Sequence, residues 1–315
     1  MRAVQLLFAI PIVLAAASIA LAEWFWLGDL ALFFLPWIAL TALSLLAALW
    51  ILGASILASA TVLFLLISIA VIGDRDATPP DWPTDGTEFT VASFNAFIGN
   101  ADPALLEEQL RARSTDILVL QETFGRFEAD LTARISDAYP YRARADQNGE
   151  VAVFSRVPIV SAQTLATDRG TGTGGSLVRA EIEIDGMAIV LYAIHAATPR
   201  HGIEYWRRRN DLLAVLAEAV AAEPDEAAII VAGDLNTPPW SPFFAELLAT
   251  TGLSDTSGRL LPSATRIVDR EIVPVGFGSP VDHVLVSDRL AWRPLVPGPA
   301  MGSDHRLVTV DMRFR

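Results

Sequence analysis

The chain has 315 residues, a formal net charge of −13, a hydrophobic fraction of 52% and no cysteine. The missing cysteine excludes disulfides, thiolate metal sites and a cysteine nucleophile, and leaves the redox compartment unread. The acidic balance speaks against counterion-releasing contact with a phosphate backbone, so nucleic acid is not the favoured partner.

Charge is nearly absent from the amino-terminal part: over residues 1–73 the only charged side chains are Arg2, Glu23 and Asp29. Three apolar runs there, roughly 4–22, 30–49 and 52–72, each match the ~20 residues a bilayer crossing requires. A cleaved signal peptide competes for the first run, because Ala20-Leu21-Ala22 has a small-x-small pattern. The run is longer than a signal core, and further apolar runs follow it. The second and third runs predict a tight hairpin near Trp50 and Gly53, and Trp24, Trp26 and Trp37 suit interfacial positions. Arg2 places the amino terminus in the cytoplasm under the positive-inside rule, although Arg75 pulls the other way. Three crossings then make this a multi-pass protein of a bacterial inner or plasma membrane, with everything after Gly73 extracytoplasmic.

Residues 74–88 read as a linker, since Pro79-Pro80-Asp81-Trp82-Pro83 cannot hold a regular element. Residues 89–315 suit one large domain, and residues 74–315 carry a net charge of −12 once the three charges of residues 1–73 are set aside. The spacing predicts strands over 89–95, 116–122 and 151–155 and helices over 102–113 and 127–139. A hairpin follows, 176–184 with 187–195, around the turn Asp185-Gly186. An amphipathic helix covers 203–222, a buried strand leads into Asp234, and a helix covers 242–250. Strands over 281–287 and 307–314 close the chain. Strands joined by both hairpins and helices predict an α/β (α+β) fold with mixed sheets rather than a purely parallel one.

Polar groups recur where these apolar strands end: Asn95, Glu122, His195, Asp234 with Asn236, Asp282, and Asp304-His305. A buried strand with a polar tip is how a rigid scaffold presents a site. Asp234 and Asn236 lie two apart, which on an extended chain places them on one side. The plainer reading of that pair is an Asx turn.

The set Ser93-Phe94-Asn95, Leu120-Gln121-Glu122, Ile194-His195, Gly233-Asp234-Leu235-Asn236, Val281-Asp282-His283 and Gly302-Ser303-Asp304-His305-Arg306 resembles the endonuclease/exonuclease/phosphatase superfamily of metal-dependent phosphoesterases. The membrane segment would make the chain a membrane-anchored, bacterial-type member. The resemblance spans about 89–315 and implies a four-layer sandwich, two facing mixed β-sheets flanked by helices. It implies Glu122 as the main metal ligand, with Asn95 and Asp304 near the metal or its waters. An oxygen-only set suits Mg²⁺, with Mn²⁺ possible. It further implies that Asp234 deprotonates the attacking water and Asn236 bonds the phosphate. His195 and His305 would stabilise the developing negative charge, and Asp282 would hold His305 protonated.

The remaining candidates are plainer. His283 should face away from Asp282 and pack, and His201 reads as a solvated loop residue. Arg207, Arg208 and Arg209 read as a solvated helix face, and Gly170–Gly175 as a flexible hairpin connection. The expected function is membrane-anchored hydrolysis of a phosphate mono- or diester, with a bilayer-proximal substrate such as a lipid head group suiting the anchor. The alternatives are an inactive, membrane-tethered binding module and a metal-dependent nuclease.

Overall fold

The structure, a computed structural model, describes residues 2–73, 78–98, 100–123, 125–144, 150–166, 175–259, 261–268 and 276–315. The amino-terminal part is helical: α1 (Arg2–Ala20), α2 (Trp26–Leu32), α3 (Leu35–Ile51) and α4 (Ser55–Gly73). Among the described residues one helix, α4, is long and apolar enough to cross a bilayer, and α2 with α3 forms a second candidate bent by 79°. The second apolar run is therefore not one straight span. Pro36, which has no N–H to give, opens α3 instead of continuing α2. In the first run the described apolar stretch is Gln5–Ala20, short of a typical span. About three crossings were expected; among the described residues one helix has the length and composition of a span, or two if the bent pair counts as one. The α3–α4 hairpin does turn where expected, at Gly53 with φ +66°. Gly28 lets α2 sit on α1, because a Cβ there would lie 1.9 Å from the Ser18 carbonyl oxygen.

Residues 78–87 hold no helix or strand. They are nonetheless fixed to the domain, with Trp82 flanked by the guanidinium groups of Arg293 and Arg313 at 4.3 and 5.2 Å from its ring.

The domain then runs β1 (Glu88–Asn95), α5 (Pro103–Ala112), β2 (Ile117–Gln121), α6 (Arg126–Ile135), β3 (Tyr141–Arg144), β4 (Val151–Ser155) and β5 (Ile159–Ala166). It continues through β6 (Gly175–Ile184), β7 (Met187–Ala196), α7 (Ile203–Ala221), β8 (Ala228–Asp234) and α8 (Pro242–Thr251). Short strands follow: β9 (Ser254–Asp255), β10 (Arg266–Ile267), β11 (Gly278–Ser279), β12 (Asp282–Val286), β13 (Leu290–Trp292), β14 (Val296–Pro297) and finally β15 (Val308–Phe314). β3 and β5 have no counterpart in the sequence reading, and the reason is physical. Both are largely exposed edge strands without a buried apolar face to mark them.

One sheet is ordered β13-β15-β1-β2-β4-β3, with β14 also on β15, and the other β5-β6-β7-β8-β12-β9. Alternation along the strands fills two faces at once. Phe89 and Val91 of β1 meet Val178, Leu191 and Ile230 of the other sheet in the central core. Ala92 and Phe94 face outward onto Leu106, Leu110 and Leu131 of α5 and α6. Tyr192, Ile194 and Val231 face outward onto Leu212, Leu216 and Phe244 of α7 and α8. The result is the four-layer sandwich with mixed sheets that the resemblance implies.

The pairing pattern also gathers the polar tips. β1 is parallel to β2, and β7 to β8, so Asn95, Glu122, His195 and Asp234 leave the sheets at carboxyl ends. β12 is antiparallel to β8 with Asp282 opposite Asp234, and β15 is antiparallel to β1 with Val308 opposite Ser93. The beginnings of β12 and β15, and hence Asp282 and Asp304-His305, fall at the same edge.

Candidate active site

At that edge lies a cleft of about 260 Å³, with Glu122, His195, Asp234, Asn236, Asp304 and His305 in its lining. Two of these residues carry a left-handed backbone without being glycine, Glu122 at φ +56° and Asn236 at φ +46°. Such strain persists only where the surroundings over-determine it, and it concentrates at functional sites. Gly233 contributes differently: a Cβ there would lie 1.9 Å from the Ile194 carbonyl oxygen, so β7 and β8 approach this closely only with glycine before Asp234.

Asn95 is the hinge between the two sheets. Its Nδ2 donates to Glu122 Oε1 at 3.1 Å and to Asp234 Oδ2 at 3.2 Å. Its Oδ1 accepts from the Phe97 N–H at 2.9 Å. The amide nitrogen thus holds two carboxylates together, and the oxygen keeps a second lone pair beyond the Phe97 bond, compatible with the expected place near a metal or its waters. Glu122 Oε2 accepts from the Ile98 N–H at 2.8 Å, while Oε1 lies 3.5 Å from His195 Nε2. Nδ1 of His195 is buried without a partner among the described residues.

Asp234 and Asn236 do converge, but not by strand alternation. β8 ends at Asp234, and the left-handed Asn236 closes an Asx turn, its N–H donating to Asp234 Oδ1 at 2.8 Å. The Asn236 Nδ2 donates to Asp234 Oδ2 at 3.1 Å and to the Ala196 carbonyl at 2.9 Å. Those bonds make it a holder of Asp234; the expected amide contact with phosphate would require giving one up.

His305 Nδ1 bonds both carboxylate oxygens of Asp282, at 2.9 and 3.1 Å. Its Nε2 faces Asp234 Oδ2 at 3.7 Å and Asp304 Oδ1 at 3.8 Å. Burial alone would lower the His305 pKa, but the carboxylates of Asp282, Asp234 and Asp304 outweigh it and raise the value to about 9. Unit charges ~4 Å apart attract by ~4 kcal/mol at an effective dielectric of ~20, and ~1.4 kcal/mol is one pKa unit. Burial pushes Asp234 up, the His305 charge pulls it back, and it lies at about 6.

Asp304 is placed on the His305 side of the cleft. Its Oδ2 is bonded by the Arg266 guanidinium, and its Oδ1 is buried without a partner among the described residues. Arg266 and Arg200 both line the cleft, and neither stood out in the sequence. Arg200 leaves a short 3-10 turn and Arg266 sits on a two-residue strand, so no periodicity or motif marked them. His283 behaves as expected: it is buried, bonded to the Thr237 carbonyl at 2.9 Å and packed on Phe244. His201 lies exposed beside the cleft against Tyr205. Of the three arginines read as a solvated face, Arg209 is wholly buried. Of the glycine-rich stretch, residues 170–174 lie outside the described residues, and Gly175 opens β6.

A two-sheet sandwich with carboxylates, an asparagine and a carboxylate-bound histidine at one edge defines a phosphate-ester hydrolase. Residues 92–305 match the Endonuclease/Exonuclease/phosphatase family, and the chain belongs to it. With membership comes hydrolysis of phosphate esters assisted by a divalent metal. No curated protein matches the sequence. Similar solved structures include a humanized D. rerio TDP2, 15% identical, with a TM-score of 0.58 over 72% of this chain and 99% of that one. Sphingomyelinase C from Streptomyces griseocarneus is 19% identical, with a TM-score of 0.54 over 71% and 99%. An endonuclease/exonuclease/phosphatase from Bacteroides vulgatus is 17% identical, with a TM-score of 0.57 over 73% and 100%. At these identities the likeness establishes the fold.

Proposed function

We propose that the chain is a membrane-anchored phosphoesterase using Mg²⁺, or Mn²⁺ in its place, to hydrolyse a phosphate mono- or diester by in-line attack of water. One observation carries the reading: Asn95 hydrogen-bonds Glu122 and Asp234 together, and Asp234 lies 3.7 Å from the ring of His305 that Asp282 holds. The donors fit a hard cation, since Glu122 offers carboxylate oxygen at the cleft and Asp304 Oδ1 is buried and unpartnered among the described residues. Asp234, Asp282 and His305 also bring possible ligand atoms within 4.8 Å of one another. That group is the poorer site, because His305 Nδ1 and the Asp282 carboxylate already satisfy each other. Glu122 and Asp304, with Asn95 fixing Glu122, would hold a divalent ion, which when bound would supply Lewis-acid polarisation of the phosphoryl group and charge neutralisation.

The protein groups then divide the proton work. Asp234, ionised at neutral pH and oriented by Asn95 and Asn236, accepts the proton of the attacking water. His305, kept protonated by Asp282, donates from Nε2 toward the developing negative charge. His195 faces the same space from β7 and adds a second donor. Asn236 acts through Asp234.

Membrane anchoring is supported by the exposed apolar surface of the helices, with Trp50, Ile51 and Leu52 exposed at 75, 86 and 75%. The cleft also lies beside those helices. Trp26 Nε1 donates to the Pro199 carbonyl, next to Arg200, and Trp37 Nε1 donates to the Gly278 carbonyl, across from Arg266 and Ile267. That supports a substrate whose phosphate is presented near a bilayer surface, such as a phospholipid head group, ahead of nucleic acid. The test is hydrolysis of bis-p-nitrophenyl phosphate by the full chain in detergent, with Mg²⁺ and with chelator. Folded protein without metal-dependent turnover would sink the proposal and leave a tethered binding module.

A further inference from the structure

We infer that Arg209, held by Asp29 of the amino-terminal helices, positions the turn carrying Asp234 and Asn236, so that docking of α2 and assembly of the catalytic site are linked. The inference rests on the proposed role of Asp234.

Asp29 is the only charged side chain between residues 24 and 73, and it has no exposed surface. Its partners lie in the catalytic domain. Oδ2 accepts from Arg209 Nη2 at 2.6 Å and from Trp206 Nε1 at 3.2 Å, and Oδ1 accepts from Ser241 Oγ at 2.7 Å. Arg209 is equally buried, with its guanidinium 5.1 Å from the Phe243 ring centre. Two charges removed from water persist only when paired and fully hydrogen-bonded. Neither residue meets that condition without the other, so an undocked α2 would leave an uncompensated arginine beside the active site.

The remaining arm of the fork reaches the site. Arg209 Nη1 donates to the Asn236 backbone carbonyl at 3.2 Å. Asn236 is the strained, left-handed residue whose N–H and amide both bond the Asp234 carboxylate. Holding its carbonyl fixes the peptide that presents those donors. Arg209 therefore touches neither substrate nor reacting atoms; it is a positioning residue, and Asp29 orients it from the membrane side. A lysine could pair with Asp29 but lacks the planar fork that spans the carboxylate and the carbonyl.

The competing explanation is that the pair merely fastens the helices to the domain. The double variant Asp29→Leu/Arg209→Met separates the two, because replacing a buried ion pair by apolar side chains of similar size is often neutral for stability. Measured on the full chain in detergent with bis-p-nitrophenyl phosphate and Mg²⁺, it should melt near the wild-type temperature. Its kcat should fall roughly 10–100-fold with KM changed less than about 3-fold, as for a lost orientation of the reacting groups. Wild-type kcat at wild-type stability would overturn the inference. If the double variant melts far lower, Arg209→Lys decides, since it keeps the charge balance: a fall of about 10-fold in kcat at constant KM supports positioning, and unchanged kcat overturns it. Asp234→Asn is measured alongside. Full turnover by that variant would overturn the proposed function and this inference with it. An inactive Asp234→Asn beside fully active Arg209 variants would overturn the inference alone.

Discussion

Nδ1 of His305 lies 2.9 Å from Oδ2 of Asp282, with both side chains buried, although 23 positions separate them in sequence. The contact fixes which ring nitrogen faces the cleft. It also supplies the negative charge that keeps the imidazole protonated in a dry site.

Asp282→Asn should therefore reduce turnover at pH 7 by roughly 10²–10⁴-fold, the scale of a lost acid or its orienter. The double variant with His305→Ala should cost little more than His305→Ala alone, because the two act as one unit. Single-variant losses that multiply in the double variant would show that they act separately.

The pH dependence follows from two raised pKa values. Turnover needs Asp234 ionised and His305 protonated, so kcat/KM should rise through about pH 6 and fall through about pH 9. A bound cation lowers the acid limb further. Stability carries the same signature: the folded His305 value lies above the ordinary 6.5, so its contribution is complete below pH 6.5 and lost as pH rises through about 9. Melting temperatures of chelated protein should decline over that window in the wild type and not in His305→Ala. Coincident curves would remove His305 as the raised group.

Glu122→Gln keeps the shape of the side chain and its Ile98 N–H bond while removing the charge that draws a hard cation. Activity should drop by a few orders of magnitude with the melting temperature little changed, and titrating Mg²⁺ calorimetrically should show weakened binding. Near-wild-type turnover at ordinary Mg²⁺ would pass the role of principal ligand to another residue.

Arg200 bonds only Thr198 Oγ1 among the described residues, whereas Arg266 is tied to Asp304. Arg200→Ala should raise KM for a phosphate ester about 10-fold with a smaller change in kcat, the pattern of a contact made equally in ground and transition states. Equal loss in kcat and kcat/KM would place Arg200 at the reacting phosphate instead.

Topology is testable by fusion. The proposed three-crossing orientation puts the catalytic domain outside the cytoplasm; among the described residues α4 is long and apolar enough to span, and the bent α2–α3 pair is a second candidate. A carboxyl-terminal alkaline phosphatase fusion should be active in a bacterial host. Bright fluorescence from a fluorescent-protein fusion in its place, with no phosphatase activity, would put the domain in the cytoplasm.

By itself, the sequence determined what local pattern can encode. Apolar runs 4–8 residues long mark β2, β7 and β8, where burial on both faces demands them, and apolar–polar alternation marks β1 and β15. The acids, amide and histidines at their ends stood out because polar groups after such runs have few structural uses. Tertiary structure alone decided what those groups do to one another. Asn95 turned its oxygen to Phe97 and its nitrogen to two carboxylates, a choice set by neighbours 27 and 139 residues away. Arg209 carries the same side chain as its two neighbours in Arg207-Arg208-Arg209, and nothing in that triplet distinguishes it. It is buried because the helix turns it toward Asp29, 180 residues earlier, and a charge leaves water only where a distant partner is waiting for it.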